Sequence, residues 1–285
     1  MRKAAARLNV SPSSLNRQIL ALEDELGSPL FERLPRNLRL TASGELIVAH
    51  VRRTMREIER LDAQLEDLKG LRRGEVSIAA MAGLASNFLT GVTVDFQVHH
   101  PRVKVIFKRG TLQEIMAAVL AGEVDLGLAF GARRDAAIRV LAEIECRLGV
   151  VVAPQHPLAG KPHVKLAECV GYPIILPGPS MVFRGILDDA FAKASLTVDG
   201  VIETTEFEMM KRFAALNRGI VFLNQINIDV ERRRGELVFV PIRDPNLAGQ
   251  TLCLFHGVRS GLSVRASQYA EALRTALEDI GPANI

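Results

Sequence analysis

Residues 12 to 18 run Pro12-Ser13-Ser14-Leu15-Asn16-Arg17-Gln18, and most of these are side chains that read nucleic acid. Asn and Gln pair bidentately with adenine, Arg pairs with guanine or a phosphate, and hydroxyls reach either kind of group. Arg33, Arg36 and Arg39 follow at three-residue spacing around a Pro35–Asn37 turn, a distribution that suits a phosphate backbone or a minor groove. The net charge of the 285-residue chain is only +4, too small to assign a nucleic-acid partner by itself. Residues 1–40 nonetheless hold seven Lys and Arg against four acids, so most of the excess lies in this segment. Pro12, Ser13, Ser14, Asn16, Arg17, Arg33 and Arg36 are the candidate DNA contacts.

A second set of residues sits where strands give way to helices. Ala82, Gly83 and Ser86 form one such loop, Gly110 and Thr111 another, Gly178, Ser180 and Met181 a third, and Thr204 and Thr205 a fourth. Each hydroxyl is first of all an N-cap candidate. Collected at one edge of a sheet, such loops turn free N–H groups toward a common space and favour a small anion, such as a carboxylate. Phe130 and Gly131 would supply an apolar wall and a floor there, although Phe130 is equally a core residue.

Signals for other chemistry are weak. The chain has no GxSxG elbow, Walker A loop, GxGxxG or HExxH string. Its six histidines (50, 99, 100, 156, 163 and 256) show no ligand spacing, which predicts surface or capping roles and no metal. Cys146, Cys169 and Cys253 are odd in number and far apart, as expected of a chain in a reducing compartment without a disulfide framework. Glu123 and Asp125 flank an apolar strand, where Asp125 is expected to make structural hydrogen bonds rather than act as a catalytic acid. No cofactor and no catalytic residue is expected. No window approaches the roughly 18 apolar residues of a membrane helix, and no apolar signal core opens the chain, which predicts a cytoplasmic protein.

The elements that must position these residues follow from periodicity. Ala4 to Leu8 favours a short helix, Asn9-Val10 a turn, and Ser11-Pro12 an N-cap followed by proline at the first helical position. Leu15, Ile19, Leu22 and Leu26 then recur at three- and four-residue spacing, which predicts an inward face on a second helix that Gly27 ends. Two short extended segments carry the arginines. Thr41 caps a long helix expected to run to about Lys69 and stop at Gly70. Val51, Met55, Ile58, Leu61, Leu65 and Leu68 form a coiled-coil-like seam along it, with a single helix lying on its own domain as the alternative. At 1.5 Å per residue the helix would be roughly 40 Å long.

Beyond Glu75, strands and helices alternate: strand Val76–Met81, helix Ser86–Val98, strand Val103–Lys108, helix Leu112–Leu120 and strand Val124–Phe130. This βαβαβ order predicts a parallel sheet with helices on both faces. A second unit is expected after Leu141, with strands at Arg147–Ala153, Pro173–Leu176, Val198–Glu203 and Gly219–Leu223 and helices at Phe183–Ala194, Glu206–Asn217 and Ile226–Arg234. Strands Val238–Pro241 and Gln250–Gly257 and a helix Ser263–Leu277 complete the chain.

The string AAxxLxVSxSSLxRQIxxLExELGxxLFER from Ala4, followed by LTASG from Leu40, resembles the winged helix-turn-helix of LysR-type transcriptional regulators. Phe96 with His100-Pro101, the run Gly122 to Leu126, His156-Pro157-Leu158 and Gly219-Ile220 extend the similarity over nearly the whole chain. The family carries a further helix before this pair, so the resemblance implies either a misassigned start or a winged domain that lacks its first helix here. Where the family usually reads Ser, Gln, Pro at 11 to 13 and Ser at 16, this chain has Ser11, Pro12, Ser13 and Asn16, which puts its base preference in question.

The resemblance implies an α/β protein with three parts. These are a winged helix-turn-helix over 1–40, a linker and dimerisation helix over 41–70, and an effector-binding domain over 75–285 like the type 2 periplasmic binding proteins. Its first lobe would span about 75–141 and 253–285, and its second about 142–252. It also implies double-stranded DNA and a small-molecule effector as partners, a homodimer or homotetramer, and an effector bound at Ala82, Gly83, Ser86, Thr111, Phe130, Gly131, Gly178, Ser180, Met181 and Thr205. A solute-binding protein leaves residues 1–70 unexplained. An enzyme on the same two-lobed fold is opposed by the missing motifs.

Overall fold

The computed structural model describes residues 2–33, 38–68, 74–132, 135–247, 249–258 and 261–280. The chain divides into two compact units, Met1–Asp62 and Ala63–Ile285.

The first unit holds α1 (Arg2–Arg7), α2 (Pro12–Leu26), β1 (Phe31–Arg33), β2 (Leu38–Leu40) and the start of α3 (Ala42–Leu68). The ends of α2 lie where its local chemistry places them. The Ser11 hydroxyl accepts from the Ser14 N–H at 3.1 Å and Pro12 opens the helix. Gly27 closes it in the left-handed region at φ 62°, with its own N–H on the Asp24 carbonyl and that of Ser28 on Glu23. Glu23 then ties the helix to the wing, because its Oε1 accepts from the N–H groups of Leu30 (2.7 Å) and Phe31 (3.1 Å). β1 and β2 pair antiparallel, with Phe31 opposite Leu40.

Thr41 anchors α3: its Oγ1 donates to the Pro29 carbonyl at 2.6 Å and accepts from the Gly44 N–H at 3.0 Å. Gly44 is required here because a Cβ on it would lie 2.1 Å from the Leu30 carbonyl oxygen. The wing turn with Arg36, and the helix stop expected at Lys69 and Gly70, lie outside the described residues.

The expected inward face of α2 is only partly formed. Leu15 and Ile19 are half-buried, whereas Leu22 and Leu26 remain 41% and 42% exposed. α1 has six residues, among whose described side chains Ala5 is buried, and so short a helix cannot cover the full length of α2.

The second unit contains two five-stranded sheets. Its elements are β3 (Gly74–Ala80), a π-helical turn (Ala85–Leu89), α4 (Thr90–His99), β4 (Val103–Arg109), α5 (Leu112–Leu120), β5 (Leu126–Phe130), β6 (Ile138–Cys146), β7 (Leu148–Val152) and α6 (Leu166–Cys169). There follow β8 (Ile174–Pro177), α7 (Val182–Lys193), β9 (Gly200–Thr204), α8 (Phe207–Ala215), β10 (Ile220–Asn224), a 3-10 turn (Gln225–Ile228), α9 (Asp229–Arg233), β11 (Val238–Pro241), β12 (Gln250–Gly257) and α10 (Val264–Ile280). The first sheet has the order β4-β3-β5-β12-β6 and the second β11-β7-β10-β8-β9.

Side-chain alternation along β3 explains the layers. Val76, Ile78 and Ala80 face a core shared with Phe88, Phe96 and Tyr269, so α4 and α10 cover that side. Ala79 points the other way, toward Ile115 and Val119 of α5. The second sheet buries Val150, Ile175, Phe222 and Leu223 with Leu187 and Met210 of its helices.

Three expectations need correction. The βαβαβ unit is parallel as expected, β3 pairing with β4 and β5, but the complete sheets are mixed, since β12 runs antiparallel to both β5 and β6, and β7 antiparallel to β10 and β11. β6 is a strand that the sequence reading leaves out, and it pairs with β12 along its length, Cys146 opposite Gln250, within the first sheet. The helices expected at Ser86 and Ile226 each begin as another kind of turn, π-helical in the first case and 3-10 in the second.

Candidate functional site

In the first unit, the candidate DNA contacts cluster on the opening turns of α2. Pro12, Ser13, Arg17 and Gln18 are exposed, and Ser14 and Asn16 half-exposed. The Ser11 and Ser13 hydroxyls lie 3.0 Å apart, so Ser13 is partly drawn into the cap, while Asn16 and Arg17 stand one turn further along. Arg33 ends β1 and Arg39 is exposed on β2. An exposed helix N-terminus, on a helix whose far end is tied through Glu23 to a strand pair carrying arginines, has the parts of a helix that enters a groove and a wing that follows the backbone.

In the second unit, strand order reverses once in each sheet, and ligands of open α/β sheets bind beyond the carboxyl ends of strands at such points. β3 is flanked by β4 and β5 in the first sheet, and β8 by β9 and β10 in the second. The segments leaving those two strands are Met81–Ser86 and Gly178–Met181, which contain six of the candidate effector residues. Gly110 and Thr111 follow the adjacent β4, Phe130 and Gly131 lie at the end of β5, and Thr205 follows β9. Gly131, at φ 73°, packs near Leu112, which brings the ends of β5 and β4 together.

The two edges meet at Gly83. Its φ is 85°, and a Cβ there would lie 2.9 Å from the Phe207 ring and from the Asn227 amide. Phe207 opens α8, so the first turn of that helix presses on the backbone of the first lobe. Gly83→Ala is expected to lower the stability of the second unit by about 1–3 kcal/mol through backbone strain and ring displacement. A thermal melt measures this, and an unchanged midpoint contradicts the packing.

The helix starts differ in what they leave open. At α5, Thr111 Oγ1 accepts from the Glu114 N–H (3.3 Å), while the Glu114 carboxylate accepts from the Thr111 N–H (2.8 Å) and hydroxyl (3.0 Å). This is a complete capping box, and hydrogen bonds to the Thr111 backbone first and its side chain second hold the Glu114 carboxyl below the usual range. The α5 terminus therefore already carries its own anion. α7 has no side-chain cap: Met181 is its N-cap and Ser180 is exposed beside it. The Arg184 guanidinium donates to the Pro177 carbonyl at 2.7 Å and to Glu203 and Asp188, fixing the end of β8 from which the Gly178–Met181 loop departs.

Phe207 and Arg184 are absent from the candidates read off the sequence. An aromatic or an arginine in the first turn of a helix carries no signal until the facing segments are in place.

A hollow of about 570 Å³ lined by His100, Leu262, Val264, Ser267, Gln268 and Glu271 lies before β4, at the opposite edge of the sheet. It is broad and open and gathers no strand ends. The remaining reactive groups are sequestered. Burial, with Glu145 and Glu168 as lesser causes, pushes the Cys146 and Cys169 thiols up to about 12, so neither is a thiolate at neutral pH. Asp125 Oδ2 accepts from the Ser77 N–H and hydroxyl at 2.9 and 2.7 Å, the structural role expected of it. His156, for which a surface or capping role is expected, is buried against Tyr172, and its Nδ1 accepts from the Leu158 N–H at 3.2 Å, which caps its turn.

The profile of the LysR substrate binding domain matches residues 69–278, and that of the bacterial regulatory helix-turn-helix protein, lysR family, matches residues 1–45. The chain belongs to the LysR family. It is a LysR-type transcriptional regulator with an effector-binding domain. This regulator is 29% identical over 244 residues to the HTH-type transcriptional regulator CysB of Burkholderia cenocepacia, covering 84% of the chain and 77% of that relative. A full-length OxyR variant from Pseudomonas aeruginosa shares its fold with a TM-score of 0.68 at 18% identity, covering 97% of this chain and 88% of that one. The CcmR regulatory domain of Synechocystis, solved in complex with 2-PG, gives a TM-score of 0.58 at 21% identity, covering 74% and 100%. Among the described residues no helix is long and apolar enough to cross a membrane.

Proposed function

We propose that this LysR-family regulator binds double-stranded DNA as a dimer or tetramer in the cytoplasm and that a small anionic metabolite held between the two lobes changes its activity. Pro12, Ser13, Ser14, Asn16 and Arg17 read the major groove, Arg33 and Arg36 follow the backbone, and α3 pairs with its copy. Ala82, Gly83, Ser86, Phe130 and Gly131 line one wall of the effector site, and Gly178, Ser180, Met181 and Thr205 the other. The observation that carries the effector half is the uncapped start of α7 at the end of β8, with Ser180 exposed beside it. A carboxylate or phosphate there would take up N–H groups that no side chain satisfies. The 2-PG in the CcmR domain supports a small anion as the class of ligand.

Thr111 takes a lesser part. Its hydroxyl is committed to Glu114, so Thr111→Ala is expected to cost about 1 kcal/mol of helix stability and little ligand affinity. Ser180→Asp is the sharper test, because it places a negative charge where the anion would sit. In a thermal-shift screen of small carboxylates and phosphate esters, compounds that stabilise the wild type should lose at least about tenfold in affinity with Ser180→Asp, while DNA binding persists. Equal affinity in both proteins removes Ser180 and the α7 terminus from the site.

A further inference from the structure

Lys211 on α8 is only 4% exposed, a rare state for a lysine without a partner. Its Nζ donates to Glu231 Oε1 of α9 and to Glu208 Oε1, each at 2.7 Å. The second oxygen of Glu231 is also engaged: Oε2 accepts from Asn87 Nδ2 at 3.0 Å, and the same nitrogen donates to the Asn227 carbonyl at 2.5 Å. Asn87 lies in the π-helical turn after β3 and is 2% exposed. One carboxylate thus holds an amide of the first lobe with one oxygen and an ammonium of the second lobe with the other.

The surroundings make this a joint rather than an isolated pair. Ile226 packs in the core of the first lobe and Ile228 in that of the second, so the turn that carries Asn227 is shared by both. Phe207, one helical turn before Lys211 on the same face of α8, rests on Gly83. α8 therefore touches the first lobe twice, by an aromatic ring on a glycine and by a lysine through Glu231.

We propose that Glu231 is the latch of an interlobe joint, and that the Asn87–Glu231–Lys211 chain sets the angle between the lobes on which the effector acts. This rests on the reading that lobe angle carries the effector's signal. Opening the lobes would separate Asn87 from Glu231 and admit water to Lys211, so a closed arrangement persists only while the carboxylate satisfies both neighbours. Glu231→Gln keeps the shape but removes the charge and turns an amide donor toward Asn87 or Lys211. Lys211→Met leaves the half-buried Glu231 without its cation.

The test reads the angle directly and without effector, so it can fail separately from the effector site. Cysteines introduced at the exposed positions Gln113 on α5 and Asp189 on α7 take spin labels selectively, because the three native cysteines are buried. With full-length labelled protein diluted into excess unlabelled chain, the pulsed-dipolar distance distribution of the wild type should be a single narrow peak. Glu231→Gln and Lys211→Met should each shift the balance toward a second distance by roughly tenfold or more, as expected for loss of a charge-assisted hydrogen bond. Folded variants with the wild-type distribution overturn the latch. If those two do not fold, Asn87→Ala decides, because it leaves the Lys211–Glu231 ion pair intact and deletes the first-lobe amide with its bonds to Glu231 and to the Asn227 carbonyl: a second distance supports the latch, and an unchanged distribution overturns it.

Discussion

Glutamate at both Met55 and Ile58 is expected to turn this regulator into a monomer and to weaken its binding to a two-half-site operator by about 100-fold or more. In the single chain these side chains are 59% and 54% exposed, and Val51 and Leu61 on the same helix are 47% and 55% exposed. Such a row of apolar side chains at three- and four-residue spacing is a seam in search of a partner. Two carboxylates per chain would bring four like charges into the middle of a two-fold seam and desolvate them there. Each half-site is then bound alone and the gain from linking two contacts is lost. Analytical ultracentrifugation and fluorescence anisotropy check the two parts, and a variant that remains dimeric would assign the seam to a different surface.

The second large effect is expected from Gly44→Ala. The added methyl would lie 2.1 Å from the Leu30 carbonyl oxygen and 3.0 Å from Leu40 Cδ2. The first of these neighbours is backbone, already held by the Thr41 N–H at 3.0 Å, so it cannot swing aside as a side chain would. Relief requires α3 to move away from the base of the wing, which breaks the Thr41 bonds to Pro29 and Gly44. A loss of about 2–4 kcal/mol is expected, confined to the first unit. Two-step unfolding would show it as a lowered first transition with the second unchanged, together with loss of DNA binding. A single unshifted melt with full DNA affinity would contradict the packing at Gly44.

Local chemistry was the part of this molecule legible in the sequence. Ser11-Pro12 and Gly27 mark both ends of α2 because capping depends on a handful of neighbouring residues. The alternation of strands and helices from β3 to β5 is likewise written in short apolar runs. β6 was not legible, since its Ile-Arg-Val-Leu-Ala-Glu-Ile-Glu-Cys sequence mixes helix-favouring Ala, Leu and Glu with β-branched residues, and its pairing with the distant β12 settles its state.

The candidate site divides along the same line. The T-x-x-E spacing of Thr111 and Glu114 is itself a capping-box signature, so the commitment of that hydroxyl was there to be read. Phe207 on Gly83 and Glu231 between Asn87 and Lys211 join positions more than a hundred residues apart. Such contacts depend on how the two lobes pack, and no local pattern announces them.

The central claim is that the opening turns of α2 read DNA from a symmetric dimer. Selection of bound sequences from a random double-stranded library by the full-length protein, with Arg17→Ala in parallel, tests it most directly. The wild type is expected to enrich two half-sites related by a dyad about one or two helical turns apart, and Arg17→Ala to weaken or relax that preference. A wild-type pool that stays random, or one enriched identically by Arg17→Ala, would contradict it.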